Sequence, residues 1–215
     1  RDPANTLWQR DLAFSHNRIG NVLAGQGDGP GALAAFQAGL AIAEELARRD
    51  PANTLWQFDL SVSHERIGES LLAQDDPPAA LQAFEASFAR RAALVERDPG
   101  NAEWQRSLAV SHNKIGDLLI PLGRSAAAHD AYGQALTIAT TLAGRDPGNS
   151  LWQRDLAISH NKLGDILTLL GDSPRAFDAY HCGLAITLDL AARDPENAIW
   201  QNDLAYSYSK LGGLA

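Results

Sequence analysis

A 48-residue period runs through the whole sequence and constrains the fold more than any other feature. The segment WQRDLAFSHNRIG returns four times in similar form, each time beginning at a tryptophan. These tryptophans are Trp8, Trp56, Trp104, Trp152 and Trp200. Residues 1–20 and 145–164 are identical at 15 of 20 positions. A period of this size is typical of repeat architectures, in which each unit packs on its neighbours. The sequence predicts one repeat array over 1–215, with units of about 1–48, 49–96, 97–144 and 145–192 and a half unit at 193–215.

Each repeat begins with a predicted helix A. Asp2-Pro3 should end any incoming helix, because proline cannot continue one. Asn5 follows, and asparagine is a strong N-cap residue. Its counterparts are Asn53, Asn101, Asn149 and Asn197. Apolar or small residues then recur at helical spacing, which predicts a buried stripe. In the first repeat this stripe is Trp8, Leu12, Ser15, Ile19 and Leu23.

A second predicted helix, helix B, completes each repeat. It begins beside Pro30, and the pairs Asp76-Pro77 and Ser173-Pro174 have the cap-then-proline order of a first helical turn. Its expected buried stripe in the first repeat is Leu33, Phe36, Leu40, Ala43 and Ala47. Period-two alternation is absent, so no strands are predicted. The expected fold class is all-α, a solenoid of helical hairpins.

A glycine lies inside every helix A, although glycine costs about 1 kcal/mol relative to alanine there. In the first repeat it is Gly20, and the cost predicts close approach by a neighbouring helix. Ala32, on helix B, is expected to allow the same approach from the other side, and Phe36, one turn further on, is expected to fill space between the helices. The corresponding sets are Gly68, Ala80 and Phe84; Gly116, Ala128 and Tyr132; and Gly164, Ala176 and Tyr180.

This small–large pattern resembles the tetratricopeptide repeat (TPR). The first match is Ile19-Gly20, Ala32, Phe36 and Gly39, and it recurs in register in the next three repeats. The usual TPR unit has 34 residues, so the 48-residue unit indicates a long variant with four and a half repeats. The resemblance implies a right-handed superhelix whose concave face, lined mainly by A helices, binds peptides or proteins.

The groove positions implied by the resemblance form a mixed stripe of apolar, amide, acidic and guanidinium groups. They are Arg10, Phe14, Asn17 and Asn21; Phe58, Val62, Glu65 and Glu69; Arg106, Val110, Asn113 and Asp117; and Arg154, Ile158, Asn161 and Asp165. Such a stripe suits an extended peptide, and its acidic members favour a basic ligand. The alternative is a solvated face bridged by Arg–Asp pairs.

The recurring histidines are predicted to pack and not to bind metal. They are His16, His64, His112 and His160, and Tyr208 takes the fifth position. Each A helix carries one such histidine, neighbouring helices pack about 8–10 Å apart, and zinc ligands bond at about 2 Å.

The serines beside these histidines are the next candidates. Ser15 and His16 are adjacent, so they do not share a helix face. Asp11 and Ser15 do share one, and a local hydrogen bond or an inter-helix contact explains that pair. Cys182, the single cysteine, is expected to be a buried thiol.

Net charge and hydropathy restrict the classes of partner that the chain is expected to bind. The net charge of −8 disfavours nucleic acid, and no apolar run approaches the roughly 18 residues of a membrane helix. The sequence begins at Arg1 and stops within a repeat, so we expect it to be part of a larger protein. The predicted function is a non-enzymatic, cofactor-free protein-interaction scaffold that binds a peptide or partner protein. The alternative is a structural array that self-associates end to end through an apolar stripe exposed over residues 206–214.

Overall fold

The computed structural model describes residues 5–213, which form nine α-helices and no strand. The helices are α1 (Thr6–Gly25), α2 (Gly29–Arg49), α3 (Thr54–Ala73), α4 (Pro77–Arg97), α5 (Ala102–Leu119), α6 (Ser125–Arg145), α7 (Ser150–Leu169), α8 (Ser173–Arg193) and α9 (Ala198–Gly212). The odd-numbered helices begin 48 residues apart, so each is a helix A and each even-numbered helix is a helix B. The predicted Asp2-Pro3 break lies outside the described residues.

The predicted asparagine caps are confirmed. The Asn5 side chain accepts a hydrogen bond from the Trp8 backbone N–H at 3.2 Å. Asn53, Asn101, Asn149 and Asn197 cap the other A helices in the same way. Each cap satisfies one of the N–H groups that a helix leaves unpaired in its first turn.

Aspartate caps three of the B helices, with proline in the first turn. Asp28 accepts from the Gly31 N–H at 2.9 Å. Asp76 and Asp172 do the same for α4 and α8. The prediction of Ser173 as the cap of α8 was wrong by one residue, because the Asp172 carboxylate makes the capping bond and Ser173 is already helical.

The chain divides into two compact units between Trp104 and Gln105. In unit 1, α1 pairs with α2 and α3 pairs with α4, while α2 also packs against α3. In unit 2, α7 pairs with α8, α6 packs on α7, and α8 packs on α9. Helix α2 therefore lies between α1 and α3, and α8 lies between α7 and α9.

The predicted close approach is confirmed at four of the five helix A glycines, and it is wrong at Gly212 of α9, where an added Cβ would meet nothing within 4 Å. A Cβ added to Gly20 would lie 2.5 Å from an atom of the Phe36 ring. The same holds for Gly116 against Tyr132 and for Gly164 against Tyr180, and Gly68 meets Phe84 at 3.0 Å. The partner alanines on helix B, Ala32, Ala80, Ala128 and Ala176, are fully buried. The glycine therefore lets an aromatic ring lie flat against the helix A backbone.

The predicted burial of the helix A stripe was wrong for α1. Leu12 and Ile19 are 50% and 51% exposed, whereas Leu60 and Ile67, at the same repeat positions in α3, are 2% and 7% exposed. In α3 the face is covered by α2, whose Ala43 packs on Leu60. No described helix covers that face of α1, so an identical stripe stays open to solvent.

Candidate functional site

Arginine–aspartate pairs join the A helices of successive repeats along the predicted groove. Arg10 Nε donates to Asp59 Oδ2 at 2.5 Å, and a second guanidinium nitrogen donates to Oδ1 at 3.3 Å. Within unit 2, Arg106 pairs with Asp155 and Arg154 with Asp203 in the same bidentate way. The hydrogen bond to Asp59 raises the pKa of Arg10. The three groove arginines are therefore held in fixed orientations by carboxylates.

In unit 1, five predicted groove residues line one open cleft of about 520 Å³. They are Arg10, Phe14, Asn17, Phe58 and Val62. The cleft lies over α1 and α3 and extends to the first turn of α5, where Glu103 and Trp104 reach its rim. The structure thus brings together positions that are far apart in sequence.

Aromatic side chains dominate this cleft. Phe14, Trp56, Phe58 and Trp104 all line it, and Leu46, from α2, contributes a further apolar group. The Arg10 guanidinium lies 4.8 Å from the centroid of the Phe14 ring, a cation–π distance. We call this surface the aromatic cleft.

The other predicted groove residues of unit 1 lie apart from the aromatic cleft. Asn21 and Glu69 line a separate cleft of about 370 Å³ near the loop ends of the hairpins. Glu69 also forms an ion pair with Arg66 at 2.8 Å. Glu65 forms an ion pair with Arg91, which is 4% exposed. Both carboxylates are therefore already neutralised within the fold.

Unit 2 carries two smaller clefts. Arg106, Val110, Asn113, Asp117 and Ile158 line one of about 230 Å³. Arg154, Ile158 and Asn161 line another of about 290 Å³. Lys162 reaches both, so a cation lies between them.

The acidic groove positions of unit 2 hold neighbouring side chains in place. Asp117 accepts from the Tyr132 hydroxyl and from Lys162 Nζ, both at 2.6 Å. Asp165 likewise accepts hydrogen bonds from the hydroxyls of Tyr180 and Tyr206, and it forms an ion pair with Lys210. The bonds from Tyr132 and Tyr180 tie helix A to helix B, whereas the Tyr206 bond and the lysine bonds tie one repeat to the next. The expectation that these acids favour a basic ligand is therefore weakened, because each already has a basic partner.

Burial and the hydrogen bond to Asp165 change the acidity of the Tyr180 hydroxyl. Burial raises the pKa of Tyr180 to about 12, and the hydrogen bond with Asp165 acts in the same direction. The hydroxyl is consequently protonated at neutral pH and acts as a donor.

The groove asparagines are more buried than the resemblance implied. Asn161 is 6% exposed, and its amide donates to the Ser207 hydroxyl at 3.2 Å. Asn113 donates to Ser159 in the same way at 3.5 Å. Both amides thus link adjacent A helices. Asn17 belongs to the same series and lines the aromatic cleft.

The histidines are half-buried in their helices. Burial lowers the pKa of His112 and His160, and it is also the main cause that lowers the pKa of His64. Across residues 5–213, no group of three or more His, Cys, Asp or Glu side chains could hold a metal ion.

The repeated serines bond to their own helices. Ser15 Oγ donates to the Asp11 backbone carbonyl at 2.8 Å. Ser63, Ser111, Ser159 and Ser207 repeat this bond to the residue four positions earlier. The predicted local hydrogen bond is thereby confirmed, with the backbone and not the carboxylate as acceptor.

The prediction for Cys182 was wrong, because the thiol is exposed on α8. A signal for this was present in the sequence. Gln134, at the same position of the preceding repeat, is polar, as expected for an outward-facing side of helix B.

Comparisons with known proteins address the fold. No protein-family model and no curated protein matches the sequence. Among solved structures, BtubC (BKLC) from P. vanneervenii superposes with a TM-score of 0.74 at 18% identity, over 98% of this chain and 74% of that protein. A putative kinesin light chain from Podosopora anserina with nearly identical TPR-like repeats superposes with a TM-score of 0.62 at 18% identity, over 95% and 88%. The fold is TPR-like.

A third solved structure, the MamA protein, matches with a TM-score of 0.50 at 18% identity, over 94% of this chain and 84% of its own. The predicted all-α class and the TPR-like helical repeat are therefore confirmed. Among the described helices of this TPR-like array, none combines the length and apolar character needed to cross a membrane.

Proposed function

We propose that this TPR-like chain is a protein-interaction scaffold that binds a peptide segment of a partner protein. The aromatic cleft of unit 1 is the observation that carries the proposal. It has the size of a ligand site, about 520 Å³, and its lining is mainly apolar with a few polar groups. The TPR-like fold of the chain supports the choice of a protein partner.

The physical character of the cleft suits peptide recognition. Aromatic side chains are enriched among the few residues that supply most of the binding free energy at protein interfaces, and they bury large areas. Phe14 is 41% exposed although it lines the cleft, so a partner could remove much of its surface from water. The Arg10–Asp59 pair is already oriented, so it can hydrogen-bond a peptide backbone with little further ordering.

The groove residues of unit 2 form a second candidate surface within that unit. Arg106, Arg154 and Lys162 present donors beside Val110 and Ile158. Donors and apolar groups alternate along the A helices, as an extended peptide with alternating side chains and backbone groups requires. We propose no catalytic role for these residues, because their arginines, serines and tyrosines are engaged in structural hydrogen bonds.

A displayed random peptide library, selected on the purified chain, tests the proposal. We expect enriched peptides whose binding shifts the backbone amide resonances of Phe14, Phe58 and Val62. If no peptide is enriched above the background of a denatured sample, or if binding leaves these resonances unmoved, the proposal is wrong.

A second candidate function is end-to-end self-association. Trp8, Leu12 and Ile19 form an open apolar stripe on α1, and Ile199 and Tyr208 are exposed on α9. Exposed apolar patches of this kind promote association. The predicted stripe over 206–214 is described only as far as residue 213, so Leu214 lies outside it.

Light scattering over a concentration series tests this second candidate. Self-association predicts a mass that rises with concentration and returns to that of the monomer in Leu12→Lys. A monomer at all concentrations contradicts it, and leaves the peptide-binding proposal standing.

A further inference from the structure

Among the four full repeats, the second departs from the others at the position of the groove arginines. Arg10, Arg106 and Arg154 each pair with the aspartate 49 residues further on. The corresponding residue of the second repeat is Phe58. Its ring lines the aromatic cleft. A neutral apolar side chain thus lines this cleft of unit 1 at the position where the other three full repeats have a guanidinium group.

The side chains near Phe58 accentuate this difference. Leu55 and Trp56 precede it on α3, and Trp104, from the first turn of α5, and Phe14, from α1, line the same cleft. The unit 2 clefts contain one aromatic side chain each, Trp152 in the smaller and Tyr206 in the larger. The aromatic cleft is also the larger by about 230 Å³, the difference between about 520 and about 290 Å³. Only this cleft, among those just compared, has both the volume and the walls for a large apolar group.

We infer that the aromatic cleft binds one bulky apolar side chain of the peptide, an aromatic residue or leucine, as the anchor of the interaction. This inference rests on the proposed function and specifies the peptide class. A single deeply seated aromatic anchor surrounded by weaker contacts is the usual energetic arrangement of a protein interface. Its ring would pack between the rings of Phe14 and Phe58, in the offset or edge-to-face geometries that aromatic pairs prefer.

Charge around the cleft specifies the neighbour of the anchor. The exposed Glu103 stands at the rim in the first turn of α5. The chain as a whole has a net charge of −8. A lysine or arginine next to the anchor would lie near the Glu103 carboxylate and would also be attracted by the overall charge. The occupant is therefore a peptide in which a bulky apolar residue adjoins a basic one.

The experiment is a parallel selection of one displayed peptide library on three proteins. They are the wild-type chain, Phe58→Arg, which restores the residue of the other repeats, and Phe177→Arg. Phe177 is a matched control, because it is a half-exposed phenylalanine on α8 outside all of the clefts described above. Circular dichroism melting verifies that each variant is folded, and Phe58→Ala replaces Phe58→Arg if the latter is not.

We expect the peptides enriched on the wild type and on Phe177→Arg to share an aromatic residue or leucine next to a lysine or arginine. Peptides enriched on the Phe58 variant should lack this pattern. For one selected peptide, replacing the anchor by alanine should weaken binding about tenfold or more, as removal of a hot-spot residue does. Glu103→Gln should lower the affinity, and also lower its sensitivity to salt, because it removes the carboxylate that faces the basic residue.

Two other outcomes are separable. Peptides that are enriched without a shared apolar residue, or that bind the Phe58 variants as well as the wild type, overturn the anchor inference and leave the scaffold function intact. A wild-type chain that enriches no peptide overturns the proposed function itself, and the anchor inference with it.

Discussion

Arg91 and Glu65 form a buried ion pair between α4 and α3, and the arginine is 4% exposed. The other repeats have neutral residues at both positions. These are Asn17 with Ala43, Asn113 with Ala139, and Asn161 with Thr187. The second repeat therefore differs from the others at two positions 26 residues apart, and the ion pair between them is the physical reason that both are charged.

Removing one member of this pair should destabilise unit 1. Arg91→Ala leaves the Glu65 carboxylate largely buried without its guanidinium partner, which costs about 3 kcal/mol or more. The double variant Glu65→Asn with Arg91→Ala recreates the residues of the first and third repeats, so it should recover most of the loss. Urea unfolding followed by circular dichroism measures both. A double variant as unstable as the single one would contradict this account.

The four helix A glycines that contact an aromatic ring, Gly20, Gly68, Gly116 and Gly164, should tolerate no side chain. Gly164→Ala places a Cβ 2.5 Å from the Tyr180 ring and should cost about 1–3 kcal/mol, as overpacking of a core does. Gly133, inside α6, is the matched control because an added Cβ meets nothing within 4 Å. Gly133→Ala should instead stabilise the chain by about 0.5–1 kcal/mol, the helix-propensity difference. Thermal melts of the two variants measure both changes in stability. A Gly164→Ala protein as stable as the wild type would contradict the packing described here.

Much of this architecture is predictable from sequence, because local rules repeated five times reinforce one another. The asparagine caps, the aspartate caps and the glycine–aromatic contacts depend on residues within one hairpin. Gly20 and Phe36, for example, are 16 residues apart, and their partnership recurs in register. The fold class follows from these contacts.

The functional surface is less predictable, because its contacts join different repeats. The sequence allows a face bridged by Arg–Asp pairs as the alternative to a peptide groove, but it does not assign Arg10 to Asp59, 49 residues away. Asn161 was placed on an open groove, and the structure buries it against Ser207. The exposure of Leu12 depends on which helix covers α1, and repetition within the sequence carries no information on that.

The half-buried histidines should make stability depend on pH between about 7 and 5. Burial lowers the pKa of His160 in the folded state, so the unfolded chain binds this proton first. Stability is then full above the unfolded value of about 6.5 and falls as the pH decreases toward the folded pKa. His160→Tyr, which introduces the residue found at Tyr208, should reduce this slope. Urea unfolding at pH 7, 6 and 5 measures it, and an unchanged slope would show that His160 does not contribute.

The thiol of Cys182 should react in the native state. Because the side chain is exposed on α8, a maleimide should label one equivalent without denaturant, at a rate close to that of the unfolded chain. Mass spectrometry after short exposure measures this. Labelling that requires denaturant would contradict the exposed position.

The account as a whole depends on what occupies the aromatic cleft. The most direct measurement is a crystal structure of the chain with a peptide selected on it. The account predicts a bulky apolar side chain of the peptide between Phe14 and Phe58, with its basic neighbour toward Glu103. A peptide bound elsewhere, for example on the open face of α1, with the aromatic cleft empty, would contradict it.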